Sequence, residues 1–357
     1  MTNRKKKRRR KPSVTGGGNG TRGQARRQAA VEPAASAEEA DAAGKSAAKA
    51  PTEEEARPRP RGIFGSSSRM REPSPFPGFR ESMARGLTET ARTVPVLVLG
   101  FLSVLVIWSA FAAAGAEDLM TSKSLATAFA LPPLYLLFSD GVLAFFPVVS
   151  GSAVAGLGVA IGLTIFRVLV LGAVAAMLAP RLGAPDLDRR RAFVRAFPHL
   201  VLIALAVFGV GAAIPYVAGG LLPGNFGGLL FLAGPLLGLH FLIFAPIAAV
   251  VDGANFREAM RRSGRAARLP GGSHLALTFG YFAFALFLVS LVPGRPVDPA
   301  TPSILTWAIA LAATFVHLGT FAAFAYRWLA VRDLPTLDQP ARPTRGASAA
   351  RRGRTKG

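Results

Sequence analysis

The chain has 357 residues, of which 51% are hydrophobic, and its formal net charge is +22. A mean hydropathy of +0.36 is compatible with that charge only if apolar and charged residues are segregated, which is typical of a membrane protein with basic tails. The chain contains no cysteine, which excludes disulfides, thiolate metal sites and a cysteine nucleophile. Composition rich in Ala, Arg, Gly and Pro favours a bacterial plasma membrane protein.

Residues 1–93 are predicted to form a disordered basic tail, because they show no sustained hydrophobic periodicity. The first thirty residues contain no apolar core typical of a cleavable signal peptide, so we expect the first apolar span to direct insertion. Arg4–Lys11 is an unbroken basic run, which could bind nucleic acid or a ribosome. Attraction to anionic lipid on the cytoplasmic side is the favoured interpretation, and nucleic acid is not expected as the main partner. Apolar side chains at every fourth residue predict a short interfacial helix over 80–92.

An apolar core extends from Val94 to about Ala330 and contains six stretches long enough to cross a bilayer. We therefore predict an all-α, multi-pass transmembrane helical bundle of six spans, followed by a disordered basic tail over 331–357. The predicted spans are 94–115, 153–179, 199–221, 228–251, 274–293 and 304–329. A further apolar stretch, 124–149, is interrupted by prolines and by Ser139-Asp140-Gly141.

Charge decides whether 124–149 is a seventh span. The arginine-rich connections are 181–197 and 252–273, and the connections poor in basic residues are 116–123, 222–227 and 294–303. Six spans place every basic segment on one side of the membrane, whereas a seventh span would break this positive-inside pattern. We therefore predict that both termini are cytoplasmic and that 124–149 is a re-entrant or interfacial segment packed against protein.

A basic amphipathic helix is predicted to follow Asp252-Gly253. Asn255 and Glu258 have capping-box spacing, which predicts that the helix begins there. Glu258 also precedes Arg262 by four residues, the favourable order for an ion pair on a helix. We expect the helix to lie flat on the membrane with its apolar face toward lipid. The arginines predicted to bind anionic lipid are Arg257, Arg261, Arg265 and Arg268, together with Arg191 and Arg195 of the preceding basic loop.

The segment Pro246–Arg265 resembles a large bacterial six-span family. This family is labelled the membrane domain of glycerophosphoryl diester phosphodiesterase and includes related uncharacterised inner-membrane proteins. The resemblance lies in the proline, in Val-Val-Asp-Gly at 250–253 and in Ala-Met-Arg-Arg-Ser at 259–263. Asp252 stands where the family commonly has Glu, and Gly264 where Trp is common. The resemblance implies a six-span membrane fold and little about function.

No catalytic, cofactor or metal site is predicted. His199, His240, His274 and His317 stand alone, without the spacing of a metal or acid–base motif. No nucleophile elbow, phosphate-binding loop or dinucleotide fingerprint occurs. His240 and His317 lie within predicted spans, where hydrogen bonds between helices are the favoured interpretation and a ligand or proton-relay role is the alternative.

Arg167 lies in the middle of a predicted span, where a charged side chain requires a partner or water. Asp140 is the one acidic residue within 124–149. A segment that dips into the membrane would bring the two side chains together, which predicts an intramembrane charge pair. The alternative is that Arg167 faces a wet cavity and Asp140 lies at the interface.

Three functions are compatible with this sequence. The leading hypothesis is a non-enzymatic scaffold or accessory protein that contacts anionic lipids and a membrane-protein partner or a second copy of itself. The alternatives are a transporter or lipid-moving protein with a cavity around Arg167, and a membrane-tethered nucleic-acid or ribosome binder acting through 4–11.

Overall fold

The computed structural model describes residues 74–138, 144, 153–222, 224–292, 294, 296–297 and 303–338. In chain order the helices are α1 (Phe79–Arg92), α2 (Val94–Ala113), α3 (Ser122–Thr127), α4 (Ala153–Leu182), α5 (Arg189–Phe208), α6 (Ile214–Leu221), α7 (Asn225–Leu242), α8 (Ala245–Val251), α9 (Phe256–Ala266), α10 (Ser273–Leu291) and α11 (Ile304–Val331). The Arg4–Lys11 run and Asp140 lie outside the described residues.

Six helical segments of the described part are long and apolar enough to cross a membrane, which confirms the predicted all-α bundle of six spans. They are Val94–Ala113, Val154–Leu182, Arg189–Val217, Gly227–Val251, Ser273–Leu291 and Ile304–Val331. The third combines α5 and α6 through a π-helical turn, Gly209–Ala213, and the fourth combines α7 and α8. The number of apolar residues per segment therefore predicted the spans correctly.

The predicted helix near residues 80–92 is α1, and it packs across α11. The helices approach closely because Gly86 has no side chain: a Cβ there would lie 2.3 Å from the carbonyl oxygen of Gly319. Arg327 on α11 is buried and donates to the Ser82 hydroxyl at 3.1 Å and to the Pro77 carbonyl at 2.8 Å. The predicted tail boundary at residue 93 is therefore too late in the chain, because α1 belongs to the bundle.

The predicted C-terminal tail boundary at residue 331 needs the same correction. Residues 332–338 continue from α11 over α9 and include a short 3-10 helix, Pro335–Leu337. The Leu337 side chain is buried, and its carbonyl accepts a hydrogen bond of 2.8 Å from Arg265. This short segment is part of the packed structure.

The interrupted stretch is described over 124–138 and at residue 144, and it contains most of α3 and a short 3-10 helix, Leu134–Leu137. Neither is long enough to cross a bilayer. Its side chains between Leu125 and Leu136 are buried in the bundle. Pro133 fits against Gly211 of the third span and Gly238 of the fourth, where an added Cβ would come within 2.2 Å and 2.8 Å of its ring. The membrane placement of the whole 124–149 stretch stays a prediction.

Candidate functional sites in the middle and at the basic end of the bundle

Arg167 lies near the midpoint of α4 and contacts the interrupted stretch. Its Nε donates to the carbonyl of Ala128 at 2.7 Å, and its guanidinium carbon lies 4.2 Å from the centre of the Tyr135 ring. Arg167 is 1% exposed, so its side chain is enclosed within the described structure. Asp140 lies outside the described residues, so the Asp140–Arg167 pair stays a prediction.

Tyr281 and His317, near the midpoints of α10 and α11, form a second set of contacts with the same stretch. The backbone N–H of Leu131 donates to the Tyr281 hydroxyl at 2.7 Å. The hydroxyl is 2.8 Å from His317 Nδ1, and His317 Nε2 is 3.1 Å from the carbonyl of Ala126. Because a carbonyl only accepts, Nε2 carries the proton and Nδ1 accepts from the tyrosine hydroxyl. This arrangement suits the Nε2–H tautomer, in which both ring nitrogens have a partner.

These contacts have one physical cause. Where 126–131 leaves helical geometry, some of its backbone N–H and C=O groups lose their helical partners, and lipid supplies none. Side chains from three spans supply them instead: Arg167, Tyr281 and His317. We call these three residues the central polar cluster. The sequence singled out Arg167 and His317 but missed Tyr281, for which a hydroxyl in the middle of an apolar span was the available signal.

Two further histidines described in spans, His240 and His274, also bond between helices. His274 Nε2 donates to the carbonyl of His240 at 2.9 Å, and His240 Nδ1 lies 3.4 Å from the Thr278 hydroxyl. The prediction that His240 and His317 bond between helices is confirmed. Within the described ranges, no group of three or more His, Asp or Glu residues is arranged to hold a metal ion.

The predicted amphipathic helix is α9, and its start is confirmed: the Asn255 side chain accepts the Glu258 backbone N–H at 3.0 Å. The expectation that its apolar face lies in lipid is wrong. Ala259 and Ala266 are buried against the bundle, and the Ser263 hydroxyl donates to the Phe241 carbonyl at 2.6 Å. Small side chains on this face allow the helix to pack closely on protein.

The predicted Glu258–Arg262 pair is also wrong. Arg262 is buried, and it donates to Asp252 at 3.0 Å and to the carbonyl of Arg332 at 2.6 Å. Its guanidinium carbon lies 5.5 Å from the centre of the Trp328 ring. The half-buried Asp252 carboxylate and the Arg332 carbonyl are held by α8 and α11, so they outcompete the local partner on the surface of α9.

Asp252, at the end of α8, is the centre of this contact. Burial raises the pKa of its carboxyl to about 6, against the opposing effect of Arg262, Arg332 and a hydrogen bond of 3.1 Å from the Trp328 indole N–H. The next residue, Gly253, has φ +66°, and a Cβ there would lie 2.5 Å from the Arg195 guanidinium. Glycine at this position therefore permits both the left-handed turn and the close approach of α5.

Most arginines predicted to bind lipid are exposed at this end of the bundle. We call the set Arg191, Arg195, Arg257, Arg261 and Arg268 the basic surface. Arg265 differs, because it is half-buried and one of its nitrogens donates to the carbonyl of Leu337. The contact of Arg195 with Gly253 joins the arginines of α5 to those of the α8–α9 turn, so two connections far apart in sequence form one surface.

Comparisons of the chain with protein-family models, with curated proteins and with solved structures found no match. The resemblance to the six-span family of the phosphodiesterase membrane domain therefore stays a prediction.

Proposed function

We propose that this chain is a non-enzymatic scaffold or accessory protein of a membrane, and that its basic surface contacts anionic phospholipid headgroups. The supporting observation is that the arginines fall into two groups, one buried and one exposed. Arg167, Arg262 and Arg327 are buried, and they donate to protein acceptors. The five arginines of the basic surface are exposed.

The basic surface has the charge and location that such contact requires. Each exposed arginine near an anionic membrane contributes about 1 kcal/mol of attraction, and this attraction weakens within a Debye length and with salt. The positive-inside pattern supports a cytoplasmic location for this end of the bundle. Partner proteins on that face, or a second copy of the chain, would then be positioned against the lipid surface.

Selective contact with anionic lipid can be measured on the full chain in bilayers. Spin-labelled phosphatidylglycerol should be immobilised more than spin-labelled phosphatidylcholine, and the difference should shrink at high salt. The triple variant Arg257→Gln, Arg261→Gln and Arg268→Gln should lose most of the difference. The matched variant with Lys at the same three positions should keep it, because the charge is retained. Equal immobilisation of both lipids by the unmodified chain would refute the proposal.

Orientation is a separate part of the proposal and has its own test. Asp118 and Leu222 are exposed on two of the connections poor in basic residues, and Arg190 and Arg261 are exposed on the basic ones. Because the chain has no cysteine, a single cysteine at each position can be labelled with an impermeant reagent. Positions 118 and 222 should react in intact cells, and 190 and 261 only after permeabilisation. Reaction of position 190 in intact cells would contradict cytoplasmic termini.

Transport is the second candidate, since non-helical backbone deep in a helical bundle is a common feature of transporter sites. The burial of Arg167 does not favour a cavity around that residue. A cavity of about 160 Å³ between α1, α10 and α11 is lined by Tyr281 and mainly apolar side chains, and its lining does not include Arg167. Flux across proteoliposomes that depends on Tyr281 would favour transport over the scaffold.

A further inference from the structure

A second group of arginines lies where α1, α2 and α4 meet. Arg85 and Arg92 on α1 each place a guanidinium nitrogen 3.6 Å from the same carboxylate oxygen of Glu89. Arg181, in the last turn of α4, donates to the carbonyl of Arg92 at 2.9 Å and to the Thr93 hydroxyl at 3.1 Å. Arg85 in turn donates to the carbonyl of Arg181 at 3.3 Å. Three guanidinium groups therefore converge on one junction of the bundle.

The charges of this group do not cancel. Three arginines and one glutamate leave a net charge of +2 (3 − 1). The Arg85 and Arg92 side chains are 48% and 66% exposed, whereas that of Glu89 is 7% exposed. At 3.6 Å the contacts with Glu89 are longer than hydrogen bonds, so N–H donors of both exposed guanidinium groups remain available.

The junction also lies at the ends of two candidate membrane spans, which is where a bilayer presents its headgroups. Thr93 directly precedes the first span, and Arg181 lies at the end of the second. Only residues 183–188 separate α4 from α5, so the junction is at the same end of the bundle as the basic surface. A phosphate group here would approach exposed donors whose positive charge is only partly compensated.

We infer that Arg85, Arg92 and Arg181 form a binding site for the phosphate of one membrane phospholipid with a negatively charged headgroup. Arg85 and Arg92 donate to the phosphate oxygens. Arg181 holds the end of α1 in place through the carbonyl of Arg92 and adds positive charge. The inference deepens the proposed contact with anionic lipid, but it assigns a discrete, saturable site to residues that the basic surface does not contain.

The test counts bound lipids on the full chain in neutral detergent by native mass spectrometry during titration with phosphatidylglycerol. The variant Arg85→Gln and Arg92→Gln should weaken the first binding event by about tenfold or more, since two charge-assisted donors are lost. The matched variant Arg257→Gln and Arg261→Gln removes the same charge from the basic surface, and it should change the first event by less than about twofold. Lys at positions 85 and 92 should restore most of the binding, which separates loss of charge from loss of fold.

Each other outcome has a defined meaning. An equal loss in both Gln variants would overturn the discrete site in favour of diffuse attraction and leave the proposed function intact. Loss only in the 257/261 variant would overturn the site as well. Failure of Lys to restore binding would assign the effect of Gln to folding and also overturn the site.

If phosphatidylcholine binds as well as phosphatidylglycerol, the proposed function and this inference both fail. Competition by millimolar inorganic phosphate at equal strength would identify free phosphate, not lipid, as the ligand.

Discussion

The central polar cluster and the basic surface both contain arginine but use it in opposite ways. Arg167, Tyr281 and His317 are buried near the midpoints of three spans and bond to backbone groups of 126–131. The arginines of the basic surface extend from the end of the bundle with their guanidinium groups exposed. Burial therefore separates polar groups that maintain the fold from those that are free to meet a ligand.

This difference predicts opposite costs of substitution. Removing a buried partner leaves another buried polar group unsatisfied, which costs far more than the original contact contributed. Removing an exposed arginine exchanges one hydrated side chain for another and changes stability little. The predictions that follow test this difference from the largest expected effect to the smallest.

The largest effect is expected at Arg167. Arg167→Leu removes the donor to the Ala128 carbonyl and the cation–π contact with Tyr135 in a buried site, and the loss should be about 2–4 kcal/mol. We expect little folded protein in a size-exclusion profile after membrane extraction. Arg190→Leu makes the same chemical change at an exposed position and should leave the yield nearly unchanged. Similar losses in both variants would remove the distinction between the two regions.

The predicted Asp140–Arg167 pair can be tested with the same measurement of folded yield. If the pair forms, Asp140→Leu alone should lower the folded yield, because it leaves Arg167 without a compensating charge. The double variant should then recover part of the loss of either single variant. A double variant whose loss equals the sum of the two single losses would exclude the pair.

The next largest effect is expected at Asp252, whose carboxyl should make the stability of the fold depend on pH. Its folded-state pKa of about 6 lies above the ordinary value of 3.8, so the folded protein binds this proton more tightly than the unfolded chain. The resulting stabilisation is fully present below about pH 4 and is lost as the pH rises through about 6, with an upper limit of about 3 kcal/mol.

The comparison of wild type with Asp252→Asn isolates this contribution, because asparagine resembles the protonated carboxyl and does not titrate. The stability of wild type relative to the variant, measured by thermal unfolding in detergent, should fall between pH 5 and pH 7.5. A relative stability that stays constant or rises over this range would show that the carboxylate is not disfavoured by burial.

Tyr281→Phe should cost about 1–3 kcal/mol, because the Leu131 N–H and His317 Nδ1 both lose their partner in a buried site. Tyr326→Phe is the matched control. Its hydroxyl also makes a short hydrogen bond, 2.7 Å to Glu81, but at an exposed position. Thermal unfolding should show a clear loss for Tyr281→Phe and a small one for Tyr326→Phe. Equal losses would mean that the central hydrogen bonds contribute no more than surface ones.

The smallest effect on stability is expected at the basic surface. Arg261→Gln should change the free energy of unfolding by no more than about 0.5 kcal/mol. The same variant should reduce the selectivity for phosphatidylglycerol. A large loss of stability with unchanged lipid selectivity would reverse the roles of the two regions.

Local patterns in the sequence were sufficient for the spans and for the start of α9. Apolar stretches of about twenty residues located six spans, and Asn255 located the start of α9. Both signals operate over a few turns of helix, so neither depends on tertiary contacts.

The partners of buried polar groups could not be predicted in the same way. Arg262 has a suitable acid four residues away, yet it bonds to Asp252 and to the carbonyl of Arg332, which tertiary packing brings close. The burial of the α9 face was also missed, although its small residues carried a signal. Ala259 and Ala266 are typical of helix–helix contact, whereas a face inserted into lipid usually has Leu, Phe or Trp.

The contact of residues 332–338 with α9 constrains the number of residues in this segment more than their identity. The acceptors for Arg262 and Arg265 are the backbone carbonyls of Arg332 and Leu337, which every amino acid provides. Replacing Arg332 would therefore retain its acceptor for Arg262, whereas inserting or deleting one residue between 332 and 337 would change the separation of the two carbonyls. Related or redesigned chains can accordingly vary in sequence between these two positions, provided that the number of residues between α11 and Leu337 is conserved.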